Sequence, residues 1–268
     1  RINFVTNEIN TICSIDNVSV KEVLQEVTNG DFTDTGAELV TNGDFATDTD
    51  WTKNSNWSIG GGTANADGTS NNAISQLNVV EANKSYEVSF TITSITQGAF
   101  YFDLGISSSG VTYSSPGTYT EAITAGTINT RVYVGCTGNA IGSIDNVSVK
   151  ELGVDWTVVD GAGTVTFGDS FAEITKTALT LPVFLSQDYA VTLGASHKLT
   201  YTITENTFTG SGVELGLSVT GAYGSTVLDA SASVTPKTVY ITVTDDTPTA
   251  ALRFYSLGDG GSIKITNI

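Results

Sequence analysis

The nonapeptide SIDNVSVKE stands at residues 14–22 and again, letter for letter, at 143–151. Its side chains alternate, with Ile15, Asn17, Ser19 and Lys21 against Ser14, Asp16, Val18 and Val20, which is the period of a β-strand. A repeated strand implies a repeated unit. A chain of 268 residues suits about two domains of roughly 100 to 150 residues each. With 28 Gly, 4 Pro and abundant Thr, Ser, Asn and Val, and without one long stretch of period 3.6, many short strands joined by turns are expected. The fold class is all-β.

The second copy can be followed through its interior. Residues 74–106 align with 185–217 at a constant offset of 111, with ten of 33 positions identical, among them Ser75, Gln76, Ser85, Thr91, Ile92, Leu104 and Gly105. Upstream, Trp57 is matched with Trp156; downstream, SIDNVSV is matched with SIKITN, which sets Lys264 opposite Asp145. The modules are read as 38–152 and 153–268. Residues 1–22 then form the last two strands of a preceding copy, since Arg1-Ile-Asn-Phe parallels Arg131-Val-Tyr-Val and Arg253-Phe-Tyr-Ser. Two strands hold no core alone, so they pair with a neighbouring chain, dock on a module here, or complete a domain before residue 1.

Residues 23–37 are read as a linker. VTNGDF occurs there at 27–32 and again at 40–45, where it opens the first complete module. Asn-Gly followed by an acid and an aromatic is turn chemistry leading into a packed residue.

With 28 acidic against 11 basic residues, the net charge of −17 repels a phosphate backbone, leaving no electrostatic footprint for DNA or RNA. No apolar run approaches the roughly 18 residues of a membrane span. Cys13 and Cys136 occupy non-equivalent places in the repeat and are expected to be free, packed thiols, the alternative being a disulfide that joins two modules; with free thiols, stability has to come from core burial.

VTNGDF, then Trp51 and Trp57, GGGTANADG, ISQ, SYEVSFTI and finally GSIDNVSV, together resemble carbohydrate-binding module families four, nine, sixteen and twenty-two. The resemblance implies two tandem β-sandwich jelly rolls, preceded by the terminal strands of another repeat. The near-identical borders also resemble repeats in bacteriophage tail and fibre proteins. Family members often carry a structural calcium ion near the opening and closing strands, which here points to Asn42, Asp44 and Asp145, with Asp16 in an equivalent site of the preceding copy. Calcium takes six to eight hard oxygens. The plainer reading is that Asp44 and Asp145 cap turns. The last module, read as lacking VTNGDF and carrying Lys264 in place of the closing aspartate, is expected to bind no calcium.

Glycans are held by aromatic platforms beside hydrogen-bonding groups, and strand parity locates a face for them. In AFYFDLGI the core set is Phe100, Phe102, Leu104 and Ile106, so Tyr101 and Asp103 face outward; Arg131 and Tyr133 do likewise. These four, with Gln76, form the expected glycan-binding face, against the alternative of an ordinary exposed sheet. In the last module the matching residues are read as Gly212, Glu214, Arg253 and Tyr255. Trp57 is assigned to the core, and Trp51 to either a loop platform or a sandwich lid.

Catalysis has little support. The single histidine, His197, falls at a core position of its strand, no Cys or His pair has zinc spacing, and no glycine loop precedes a helix. The expected role is a non-catalytic surface or virion fibre segment that recognises cell-surface polysaccharide and associates with further copies of itself, outside the cell. The rivals are a purely structural spacer and the ancillary part of a secreted glycoside hydrolase.

Overall fold

The computed structural model describes residues 27–159, 161, 163–177, 183–190, 194–207, 213–219, 222–229, 236–242, 249–256 and 260–268. The readings of residues 1–22, including Cys13 and Asp16, and of Gly212 fall outside them. All described secondary structure is strand, and no helix is long and apolar enough to cross a membrane.

The middle module holds β1 (Thr35–Glu38), β2 (Thr52–Lys53), β3 (Trp57–Ile59), β4 (Ala64–Asp67), β5 (Ala73–Gln76), β6 (Ser85–Leu104), β7 (Gly117–Thr124) and β8 (Val132–Leu152). The last module holds β9 (Thr157–Val159), β10 (Gly163–Gly168), β11 (Phe171–Lys176), β12 (Phe184–Ala190), β13 (Ser196–Asn206), β14 (Val213–Val219), β15 (Ala222–Asp229), β16 (Pro236–Thr242), β17 (Thr249–Ser256) and β18 (Gly261–Thr266). In the last module these form two antiparallel five-stranded sheets, β10-β11-β18-β13-β16 and β15-β14-β17-β12-β9. Apart from the neighbours β10-β11 and β14-β15, which pair within one sheet, consecutive strands change sheet, as in a jelly-roll sandwich.

The middle module has the same plan with fewer breaks. β6 and β8 are 20 and 21 residues long and pass from one layer to the other, paired with each other through several register shifts. The first half of β6 pairs β7 and the end of β8; its second half lies beside the start of β8, which in turn pairs β5. Alternation fills the gap between the layers: Tyr86, Val88, Phe90 and Ile92 from one half of β6, Phe100, Phe102 and Leu104 from the other, with Val132, Val134, Ile144 and Val149, all nearly inaccessible. Phe90 meets Phe102 edge-on at 4.5 Å, a geometry favourable beyond area alone.

Pairing corrects three matches made from letters. Val147 N–H donates to the Gly43 carbonyl (2.9 Å) as Ile268 N–H donates to that of Gly30 (2.9 Å). Asn146 and Asn267 share a left-handed backbone, both with φ 53°. Thr91 stands opposite Asp145 as Thr202 stands opposite Thr266. The counterpart of Asp145 is therefore Thr266, and Lys264 pairs instead with Glu205 at 2.7 Å. Trp156 Nε1 donates to the Asn29 carbonyl as Trp51 Nε1 donates to that of Asn42, both at 3.0 Å. Trp156 thus corresponds to Trp51, not to Trp57. Finally, the offset of 111 holds through Thr91 and Thr202 but shifts by two in the next strand segment, where Phe102 is opposite Val134 and Leu215 opposite Phe254.

The largest correction concerns residues 27–34. Phe32 is fully buried in the core of the last module, 5.4 Å from Trp156 and 5.9 Å from Phe167 by ring centroids. The last module does have its VTNGDF: it is the first copy, read from sequence as linker. The modules also touch directly, the Phe167 amide donating to Ser85 Oγ at 3.0 Å.

Candidate functional site

The outer face of the sheet β2-β5-β8-β6 carries the residues singled out by parity. Tyr101 lies opposite Gly135, and Asp103 opposite Tyr133, which also faces Ser75 of β5. Tyr101, Asp103, Arg131 and Tyr133 are each half-buried, while their strand neighbours Phe100, Phe102, Val132 and Val134 are in the core. Four of the five expected residues are thus gathered on one surface.

Gly135 sets the posture of Tyr101. A Cβ there would fall 2.3 Å from Tyr101 Cζ and 2.5 Å from its hydroxyl, so the ring crosses directly over the neighbouring strand's backbone. That is a broad aromatic surface resting on a rigid sheet. Burial raises the Tyr101 hydroxyl pKa, with the Asp103 charge adding to the effect.

Asp103 is held beside it with one carboxylate oxygen, Oδ1, buried and without a hydrogen-bond partner. Its pKa is raised by desolvation, against the opposing pull of the Ile106 and Ser107 amides. A buried acceptor of this kind is costly unless something donates to it. Arg131 and Tyr133 belong to a small network: Arg131 Nη1 donates to Ser75 Oγ (3.1 Å), the Arg131 amide to Asn129 Oδ1 (2.9 Å), and Asn129 Nδ2 to the Tyr133 hydroxyl (3.0 Å). Sequence reasoning missed Asn129, Ser75 and Gly135. Of these only Ser75 carried a signal, its recurrence as Ser186.

Gln76 does not belong to this face. Its side chain is buried and clasps the opening segment, Oε1 accepting from the Thr41 amide (2.9 Å) and Nε2 donating to the Thr41 carbonyl (2.8 Å). Parity explains the error: Gln76 pairs with Val132 and points inward with it. Trp51 is likewise a lid, buried at 5.2 Å from Phe45, and Trp57 packs on Phe100 at 5.7 Å.

The opposite outer face is a self-satisfied hydroxyl surface. Thr91 and Thr118 share a hydrogen bond of 2.9 Å, Ser94 donates to Ser143 at 3.2 Å, and Ser143 to Asn65 at 2.7 Å. Tyr113 and Tyr119 stack at 4.0 Å but pack on Phe90. The Tyr113 hydroxyl, desolvated and bonded to Glu121, is pushed up to about 12.

The three expected calcium residues are brought near each other by the bond between Val147 and Gly43, yet each is engaged in its own turn. Asn42 Oδ1 accepts from the Thr47 amide (3.2 Å), while Nδ2 donates to the Thr47 (2.8 Å) and Thr49 (3.0 Å) carbonyls. Asp44 caps the Ala46 amide (3.3 Å), and Asp145 turns both oxygens onto Asn146. Among the described residues no three His, Cys, Asp or Glu gather into a metal group. As arranged, Asn42, Asp44 and Asp145 each cap their own turn, the plainer of the two sequence readings.

In the last module, register places Glu214 opposite Tyr255 and Gly216 opposite Arg253, where the middle module has Tyr101 opposite Gly135 and Asp103 opposite Tyr133. Arg253 thus stands in the place of Tyr133, and Glu214 in that of Tyr101. The aromatic platform is absent from that register position.

No protein-family model matches the sequence, and no curated protein matches it. Among solved structures, the chain is similar to the N-terminal tandem pair of CBM22 domains from Paenibacillus barcinonensis Xyn10C, with 10% identity over 87% of this chain and 96% of that one and a TM-score of 0.31. It is also similar to an allantoicase, with 10% identity over 87% and 91% and a TM-score of 0.26. A third is allantoicase from Saccharomyces cerevisiae, with 10% identity over 76% and 81% and a TM-score of 0.21. At these values no substrate or activity passes from those proteins to this chain.

Proposed function

We propose that the chain is a non-catalytic segment of an extracellular or virion surface assembly, and that its middle module binds polysaccharide on the outer face of β2-β5-β8-β6. The observation that carries this reading is Tyr101 laid across Gly135 beside the partnerless Oδ1 of Asp103. A sugar ring offers a flat face of C–H groups to an aromatic ring, and its hydroxyls can donate to the half-buried Asp103 carboxylate where it borders that ring. Arg131 and Tyr133, fixed by Ser75 and Asn129, border the same surface. The surplus of acid over base suits neutral glycans and keeps such assemblies apart in solution.

A second reading, a structural spacer, is favoured by the extent to which Arg131 and Tyr133 already satisfy each other's neighbours. A glycan array with the full chain separates the two. The binding reading expects retention of specific neutral polysaccharides, lost on Tyr101→Ala without change in melting; an array blank for the parent chain supports the spacer.

A further inference from the structure

We propose that the last module is split in sequence: its body, residues 153–268, carries a peptide-binding socket whose ligand is the chain's own segment 27–34, and residues 35–152 are a whole module inserted between ligand and socket. Three observations carry this. First, the socket reads the segment bond for bond as the middle module reads residues 40–45. Buried Gln187 accepts from the Thr28 amide at 2.9 Å and donates to the Thr28 carbonyl at 3.0 Å, as Gln76 does with Thr41. Trp156 and Ile268 donate to Asn29 and Gly30, as Trp51 and Val147 do to Asn42 and Gly43. A Cβ on Gly30 would fall 2.2 Å from the Ile268 carbonyl oxygen, and one on Gly43 2.0 Å from that of Val147.

Second, the connection has the right length once the insert is taken out. FATDTDW runs from Phe45 to Trp51, and joining Asp34 to Gly153 yields FTDGVDW from Phe32 to Trp156, the same number of residues. Third, the two crossings between the modules run side by side: β1 pairs antiparallel with the end of β8, Thr35 opposite Leu152 and Glu38 opposite Lys150. An insert needs its entry and exit adjacent, and termini that lie close together permit it.

The consequence is a division of labour. The last module is closed by a segment from upstream, and the middle module with its Tyr101 face is joined to it by the paired strands β1 and β8 and packs on it where Phe167 meets Ser85.

The test uses the full chain, with melting followed by probes in each module. Phe32→Ala is expected to lower the midpoint of the last module by about 10 °C or more while leaving the middle module's unchanged; Phe45→Ala does the reverse. A synthetic EVTNGDFTD peptide at millimolar concentration raises the depressed midpoint by mass action, and the same peptide carrying Phe32→Ala does not. An unchanged last-module midpoint in Phe32→Ala, or no recovery with the peptide, overturns the proposal. If the Phe32→Ala chain fails to fold, amide exchange on the unaltered chain decides: protection of the Thr28 and Phe32 amides equal to that of strand 184–190 supports it, and exchange at the rate of an open linker overturns it.

Discussion

Gly135 and Tyr101 show how much of a binding surface can hang on a missing side chain. Gly135→Ala has to move the Tyr101 ring off the sheet, so it is expected to weaken glycan binding about tenfold or more, equivalent to about 1.4 kcal/mol, as read by isothermal titration. The fold itself should persist, since Tyr101 lies outside the core. Asp103 gives a pH signature. Its carboxyl pKa is raised by burial, so the folded chain holds that proton more tightly than the unfolded one. The contribution is full below the ordinary aspartate value of about 3.9 and is lost as pH rises through the folded value. Asp103→Asn should therefore melt higher than the parent at pH 7 and no higher at pH 3. Parity in AFYFDLGI made Tyr101 and Asp103 legible from the letters alone but failed at Ile106, expected in the core and exposed in the left-handed turn that follows Leu104. Gly135 was not legible, because its importance lies in what the neighbouring strand lays across it.

Among elements, the opening segments explain both the success and the failure of sequence reading. VTNGDF was recognisable as turn chemistry entering a packed residue, and Phe32 and Phe45 are indeed fully buried. What the letters do not record is which body each segment closes, since tertiary hydrogen bonds from Gln76 and Gln187 decide it. Gln76→Ala, which orphans the Thr41 amide and carbonyl near a buried edge, is expected to cost about 1–3 kcal/mol in the middle module's denaturant unfolding. The offset of two between the second half of β6 and β14 has a similar origin. β6 runs unbroken between layers, whereas β13 and β14 are separate strands, and the letter identities at Leu104 and Gly105 hold the alignment two residues away from the pairing. The closing strand was matched two residues out of place for the same reason: SIDN and SIKI share two letters, but the shared left-handed turn belongs to Asn146 and Asn267.

For the molecule as a whole, two sandwiches of all-β architecture were expected and are present, with the boundary redrawn by residues 27–34. The calcium reading makes a contrary forecast to the self-capped turns described above. With Asn42, Asp44 and Asp145 committed to backbone groups, the melting midpoints should coincide in millimolar calcium and in chelator; a rise in calcium that Asp145→Ala abolishes would restore the ion. The account turns on the outer face of β2-β5-β8-β6, and amide chemical-shift mapping during titration of the full chain with a polysaccharide retained on the array tests it most directly. The prediction is that perturbed amides cluster at 73–75, 101–103 and 129–135; a cluster confined to the hydroxyl face around Thr91, Ser94 and Ser143, or to the last module, would contradict it.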